Sequence, residues 1–169
     1  MKIGVIISTY NNPEWLEKTL WGYLNQTRQA DEILIADDGS RDETRQLIES
    51  FKGTLPIKHI WQEDRGFQKS KILNKALVAA DAEYLIFTDQ DCVPRKDFIA
   101  THERYAEKNY ILSGGYLRLP MDISKRLGRA DVESGNAFRY KWLRAQGLKW
   151  NFKCTKLIQC PSFCKFMRV

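Results

Sequence analysis

Two carboxylates one residue apart close the apolar run Tyr84-Leu85-Ile86-Phe87-Thr88-Asp89-Gln90-Asp91. Buried strands exclude charge, so Asp89 and Asp91 are expected just past the carboxyl end of a buried parallel strand, where open α/β sheets form their ligand crevice. In extended backbone, residues two apart point the same way. The pair can then share one divalent cation, or a cation plus a ribose hydroxyl. A solvated turn is the other reading of the same residues. A second acidic pair, Asp37 and Asp38, closes the run Glu32-Ile33-Leu34-Ile35-Ala36. Ser40 and Glu43 behind it read as a capping box, which gives Ser40 to a helix start and leaves the two aspartates without a local task.

The elements that must position these acids alternate strand and helix, the pattern of an α/β fold with a parallel sheet covered on both faces. Lys2 to Ser8 reads as the first strand. Asn12 can cap and Pro13 can open the helix that follows, through about Gln26, with Leu16, Leu20, Tyr23 and Leu24 inward. The second strand leads to a helix carrying Leu47, Ile48 and Phe51. Ile57 to Trp61 is a third strand, followed by the loop 62–68 and a helix with Ile72, Leu73, Ala76, Leu77 and Ala80 on its apolar side. Lys69, Lys71 and Lys75 at its start oppose the helix dipole. A nearby anion would explain them, as would a solvated basic face. After the Asp89 strand, Pro94 and Asp97 open a helix through about Lys108, and Tyr110-Ile111-Leu112 re-enters the sheet before Ser113-Gly114-Gly115.

Composition removes several function classes. Met1-Lys2 runs straight into a first strand with no basic leader, and no apolar run approaches the roughly 20 residues that span a bilayer, so the expectation is a cytoplasmic chain. Cys92, Cys154, Cys160 and Cys164 are few for a disulfide scaffold, and the Cys-x5-Cys-x3-Cys spacing of the last three lacks the knuckles of a zinc site. Ser8-Thr9-Tyr10-Asn11-Asn12-Pro13 contains no glycine, which excludes a dinucleotide-binding Rossmann turn. Charge is uneven: residues 1–117 hold 15 Lys/Arg against 18 Asp/Glu, whereas residues 118–169 hold 12 against Asp122, Asp131 and Glu133. No helix-turn-helix, zinc-finger or RNP signature accompanies the basic tail, so nucleic acid is not an expected partner.

Ile7-Ser8-Thr9-Tyr10-Asn11-Asn12, Asp37-Asp38-Gly39-Ser40, Gly66-Phe67-Gln68-Lys69-Ser70-Lys71-Ile72-Leu73-Asn74 and Thr88-Asp89-Gln90-Asp91 follow one another in the first 115 or so residues. In this order and spacing they resemble the nucleotide-sugar half of family 2 glycosyltransferases, such as those of bacterial polysaccharide synthesis. The resemblance implies a GT-A fold, with a mostly parallel Rossmann-like sheet flanked by helices and an incomplete acceptor part. Residues 1–117 would be the nucleotide-sugar-binding core and 118–169 a basic, aromatic-rich partial acceptor segment. It further implies that Tyr10 lies against a uracil ring, that Asp38 accepts the imide N–H, and that Ser8 joins the nucleotide site. Asp89 would face the ribose, and Asp91 would hold Mn2+ or Mg2+ against the diphosphate, easing its departure. Gln68 stands where many relatives carry Arg, keeping a hydrogen bond but giving up a charge, and Lys71 one turn on can supply charge instead.

The expected partners are a UDP-sugar and a saccharide or lipid-linked acceptor. The tail allows peripheral contact with the inner face of a membrane, since Phe138 to Phe152 interleaves aromatics with bases. Against that, Phe138, Trp142, Ala145 and Leu148 recur at the spacing of a helix packed on its own protein. An inverting transfer needs a base opposite the leaving diphosphate. After Glu107 the carboxylates are Asp122, Asp131 and Glu133, of which Asp131 and Glu133 are the base candidates, each with an ion pair as the competing role. Two expectations stand: an inverting UDP-sugar transferase, or a truncated relative that binds the donor and transfers weakly.

Overall fold

Isoleucine, valine and leucine fill two consecutive runs, Ile3–Thr9 (β1) and Glu32–Asp37 (β2), and every side chain in both is buried. Such near-continuous apolar runs belong in the middle of a parallel sheet covered on both faces. The computed structural model, which describes residues 1–157, has this arrangement and divides into two compact units, one ending at Leu112 and the other beginning at Ser113. In the first unit α1 (Pro13–Leu24), α2 (Asp42–Phe51), β3 (Ile57–Trp61), α3 (Lys69–Val78), β4 (Tyr84–Asp89) and α4 (Phe98–Tyr105) complete the chain order. The four strands are parallel in the order β3-β2-β1-β4.

Strand alternation sends side chains to opposite faces, and the core divides accordingly. Ile3, Val5, Ile7, Ile33 and Ile35 pack with Leu16, Leu20 and Tyr23 of α1, Ile48 of α2 and Ile99 of α4. Ile6, Leu34 and Ala36 meet Ile72 and Ala76 of α3 on the other side. Pro13 is the first residue of α1, as its fixed φ favours, but Asn12 makes no side-chain cap.

Several sequence expectations give way. β4 is an edge strand among the described residues, and Phe87 within it is 53% exposed, so this run is half-buried. Tyr110-Ile111-Leu112 forms no strand, with Tyr110 and Ile111 exposed. The Ser40–Glu43 capping box does not form. Arg41 is the N-cap of α2, and the Ser40 hydroxyl accepts instead from the Asn11 amide at 2.9 Å. The fourth helix stops at Tyr105, short of Lys108.

The second unit contains α5 (Met121–Arg126), α6 (Arg129–Glu133), α7 (Tyr140–Ala145) and short 3-10 turns at Asn136–Phe138 and Phe152–Leu157. Ile123, Leu143, Leu148 and Cys154 form its core. The expected single helix through Phe138, Trp142, Ala145 and Leu148 is broken at Arg139, and Ala145 is exposed; Leu143 is the buried residue of α7. Cys92 and Cys154 are free thiols. Cys160 and Cys164 lie outside the described residues.

Gly39 adopts φ +97°, and a Cβ there would sit 2.6 Å from both Cα and N of Asp64. Gly39→Ala therefore combines left-handed strain with a backbone clash, and is expected to cost roughly 1–3 kcal/mol. Urea denaturation should show a lower midpoint at unchanged slope; an unchanged midpoint would mean that the loop yields freely.

Candidate functional site

Strand register sets what converges at the carboxyl end of the sheet. Thr9 pairs with Asp37 across β1 and β2, and Ser8 with Asp89 across β1 and β4. The ladder continues one step further, with the Asp38 amide donating to the Thr9 carbonyl and the Gln90 amide to the Ser8 carbonyl, both at 3.0 Å. The polar residues that close the apolar runs of these strands are thus gathered at one edge.

The two members of the Asp37-Asp38 pair do different work. Asp37 is buried, and its carboxylate accepts from the Ser40 amide at 2.8 Å and lies 2.9 Å from His59 Nε2. This local task, which the sequence reading denied it, holds the β2–α2 turn. Asp38 is 6% exposed and accepts from Gln62 Nε2 at 2.6 Å and from the Gln68 amide at 2.8 Å, one donor per oxygen. Each carboxylate oxygen has a second lone pair, so Asp38 keeps acceptor capacity. Gln68 contributes its main chain here, while its side chain bonds weakly back to the Arg65 carbonyl at 3.4 Å.

Asp89 takes both of its donors on a single oxygen. Ser8 Oγ and Lys69 Nζ both donate to its Oδ1 at 2.5 Å. Burial by itself would raise the Asp89 pKa, but the hydrogen bonds from Lys69 and Ser8 and the lysine's charge outweigh it and hold the carboxyl below its ordinary value. Lys69 begins α3, so the anion that its position asked for is a carboxylate of the protein itself. Lys71, the lysine expected to bring charge, is exposed.

Asp91 is exposed on a turn closed by the Cys92 amide donating to the Asp89 carbonyl at 3.1 Å. The extended geometry expected for Asp89-Gln90-Asp91 therefore gives way to a turn. Thr19 Oγ1 fixes that turn by donating to the Gln90 carbonyl at 2.7 Å, and Gln26 Nε2 fixes its continuation by donating to the Arg95 carbonyl at 2.9 Å. Burial, and then the Asp91 charge, push the Cys92 thiol up and keep it protonated. Among the described residues no group of three or more His, Cys, Asp or Glu is arranged to hold a metal, and no lysine or arginine is ion-paired to Asp91. Mg2+ or Mn2+ on a diphosphate needs one or two carboxylates, with phosphate and water filling the other positions, and an exposed Asp91 on a braced turn fits that requirement.

Tyr10 leaves its ring 47% exposed at the same edge, with its hydroxyl donating to Asp64 Oδ2 at 2.9 Å. Gln90 Oε1 accepts from the Tyr10 amide at 3.1 Å and from Thr9 Oγ1. Gln62, Asp64 and Gln90 are positioning residues with no role expected from the sequence, for which the signal available was the acid two residues before Gly66, whereas the anion expected near Lys69 is Asp89. In the second unit the base candidates are engaged: Asp131 accepts from the Gly128 amide at 3.0 Å and caps α6, and Glu133 pairs with Arg129 at 2.7 Å. Asp122 pairs with Arg126 at 3.3 Å.

A parallel sheet with helices on both faces and this crevice is the GT-A glycosyltransferase fold, which the solved relatives share. The sequence matches the glycosyl transferase family 2 over residues 4–169, and the chain belongs to that family. Validoxylamine A glucosyltransferase of Streptomyces hygroscopicus subsp. jinggangensis is 36% identical over 89 residues, which cover 52% of this chain and 21% of that protein. Chondroitin synthase of Escherichia coli is 32% identical over 101 residues, covering 59% and 15%. The chain thus spans about a fifth of the length of the curated relatives it matches. Among solved structures, S. aureus TarS 1-349 in complex with UDP-GlcNAc aligns with a TM-score of 0.58 at 28% identity, covering 62% of this chain and 30% of that one. The mannosyltransferase PcManGT from Pyrobaculum calidifontis, in complex with GDP-Man and Mn2+, aligns at 0.59 and 25% identity, covering 78% and 38%.

Removing the ammonium in Lys69→Met should raise the Asp89 pKa toward the ordinary carboxylate value, read by NMR titration of its side-chain carboxyl. A depressed carboxylate stabilises the fold above its unfolded pKa and loses that contribution as pH falls through the lower folded value. The variant should therefore be slightly less stable at neutral pH, by under about 1 kcal/mol for so exposed a pair, and should show a weaker acid dependence. An unmoved Asp89 titration would contradict the assignment.

Proposed function

We propose that the first unit binds a UDP-sugar with a divalent cation and supplies the donor half of an inverting sugar transfer to a saccharide or lipid-linked acceptor. The observation that carries this reading is the convergence of Tyr10, Asp38 and the Ser8–Asp89–Lys69 cluster at the carboxyl ends of β1, β2 and β4. Tyr10 offers a ring face to the base. Asp38, held as an acceptor by Gln62 and by the Gln68 amide, takes the base's imide N–H. Asp89 faces the ribose, and Lys69 beside it brings positive charge toward the diphosphate. Gln68 and Lys71 line the same loop and helix start, as second contacts to the nucleotide. Asp91 holds Mn2+ or Mg2+, which when bound neutralises charge on the departing diphosphate. Nucleotide sugars bound by two solved relatives of the same fold support a donor of this class.

Calorimetry with UDP, with and without Mn2+, tests the donor site. Asp91→Ala should lose about tenfold or more of the metal-dependent affinity with the fold intact, because the residue lies on an exposed turn. Equal binding by the variant in the presence of Mn2+ would remove Asp91 from the metal site.

Catalysis carries a separate expectation. Among the described residues after Glu107, each carboxylate already serves a cap or an ion pair. A transferase lacking a placed base loses roughly a hundred- to ten-thousand-fold in rate. The chain as given should bind UDP yet release product at or near the rate of UDP-sugar hydrolysis in a panel of donors and acceptors. Robust multiple turnover would return Asp131 and Glu133 to the role of base.

A further inference from the structure

The end of α7 builds a groove. Gly147, at φ +103°, places the Leu148 amide on the Leu143 carbonyl and its own amide on the Arg144 carbonyl, both at 2.9 Å, which is the hydrogen-bond pattern of a Schellman stop. The chain then doubles back so that Trp150 meets Tyr140 edge to face, with centroids 5.0 Å apart at 84°. Leu143 and Leu148 are spent on the unit's own core, which leaves α7 no apolar face for a bilayer. Trp150 and several cations are exposed, with Tyr140 half-buried beside them. Tyr140, Arg144, Lys149 and Trp150 line a shallow, open cleft of ≈ 610 Å³, and an adjoining one of ≈ 780 Å³ shares Gly147, Leu148 and Lys149 with it and is bordered by Arg118 and Lys153.

No carboxylate lines either cleft, and among the described residues none of Arg118, Arg144, Lys149 and Lys153 is ion-paired. Cations set at intervals along a groove match a ligand that repeats its negative charge, and flanking aromatic faces match pyranose rings. We infer that this groove binds a uronate-bearing oligosaccharide, whose carboxylates meet Arg144 and Lys149 and whose sugar rings lie against Trp150 and Tyr140. This rests on the reading of the chain as a sugar transferase and names the chemical class of its acceptor.

The test is calorimetric titration of the full chain with an oligogalacturonate of defined length and with the same oligosaccharide methyl-esterified, which keeps the rings and removes the charge. The inference expects the acid form to bind and to weaken with added salt, the ester to bind at least about tenfold more weakly, and Arg144→Gln/Lys149→Gln to lose about tenfold for the acid form. Equal binding of acid and ester overturns it. So does tighter binding of phosphatidylglycerol vesicles or of an oligothymidylate of equal charge. UDP titrated into the same samples is read separately: UDP binding without oligogalacturonate binding overturns the groove alone, and loss of UDP binding overturns the donor reading alone. The double variant should bind UDP as the parent chain does, which also shows that it is folded.

Discussion

The middles of β1 and β2 are apolar and buried, and the in-register pairing of those strands decides where the polar residues at their ends meet. With Thr9 opposite Asp37 and Ser8 opposite Asp89, the first residues past the buried runs lie side by side at one edge. The loops then follow from hydrogen-bonding demand. Asp37 and Asp38 are buried and cannot stand alone, so each takes donors from neighbouring elements, Ser40 and His59 for Asp37 and Gln62 and Gln68 for Asp38, while the more exposed Asp89 takes Ser8 and Lys69. Around β2 the site geometry is therefore a by-product of satisfying two buried acids.

The opposite end of the sheet shows the same rule without an open crevice. Glu32, buried at the start of β2, accepts from the Asp81 and Ala82 amides at 2.8 and 2.7 Å and from Lys58 at 2.7 Å. These donors tie the end of one helix to the beginning of β4, so the acid is spent on connecting elements. An acid at a strand terminus is informative about ligands only when its partners leave it a free lone pair and an open side, as they do for Asp89.

Much of this was legible in the sequence. Periodicity placed the four strands and the first three helices because their apolar residues answer to burial, which is local in pattern and strong in energy. The acids at the ends of β2 and β4 were legible for the same reason, as charge that interrupts an apolar run. What was not legible depended on partners distant in the chain. Ser40 looked like a helix cap and became the acceptor of the Asn11 amide because the β1–α1 loop approaches it in space. For Lys69 the sequence left open a nearby anion or a solvated face, and only β4, which brings Asp89 to it from twenty residues away, decides between them. The tail misled by its spacing: the 3.6-residue period ran across Arg139, but an extended backbone there ended the short 3-10 turn and started α7 afresh.

The double occupation of Asp89 Oδ1 has a thermodynamic consequence. A ligand hydroxyl that comes to this oxygen finds Ser8 and Lys69 already there, so it exchanges one hydrogen bond for another. Such an exchange releases little heat even when it orders the ligand. Selectivity at this point of the crevice then comes from shape, since a group of the wrong length displaces the lysine without replacing what the lysine gave. The displaced ammonium, freed on a helix start, becomes an entropic asset of the complex if it stays mobile, and an enthalpic one if it finds an anion on the ligand.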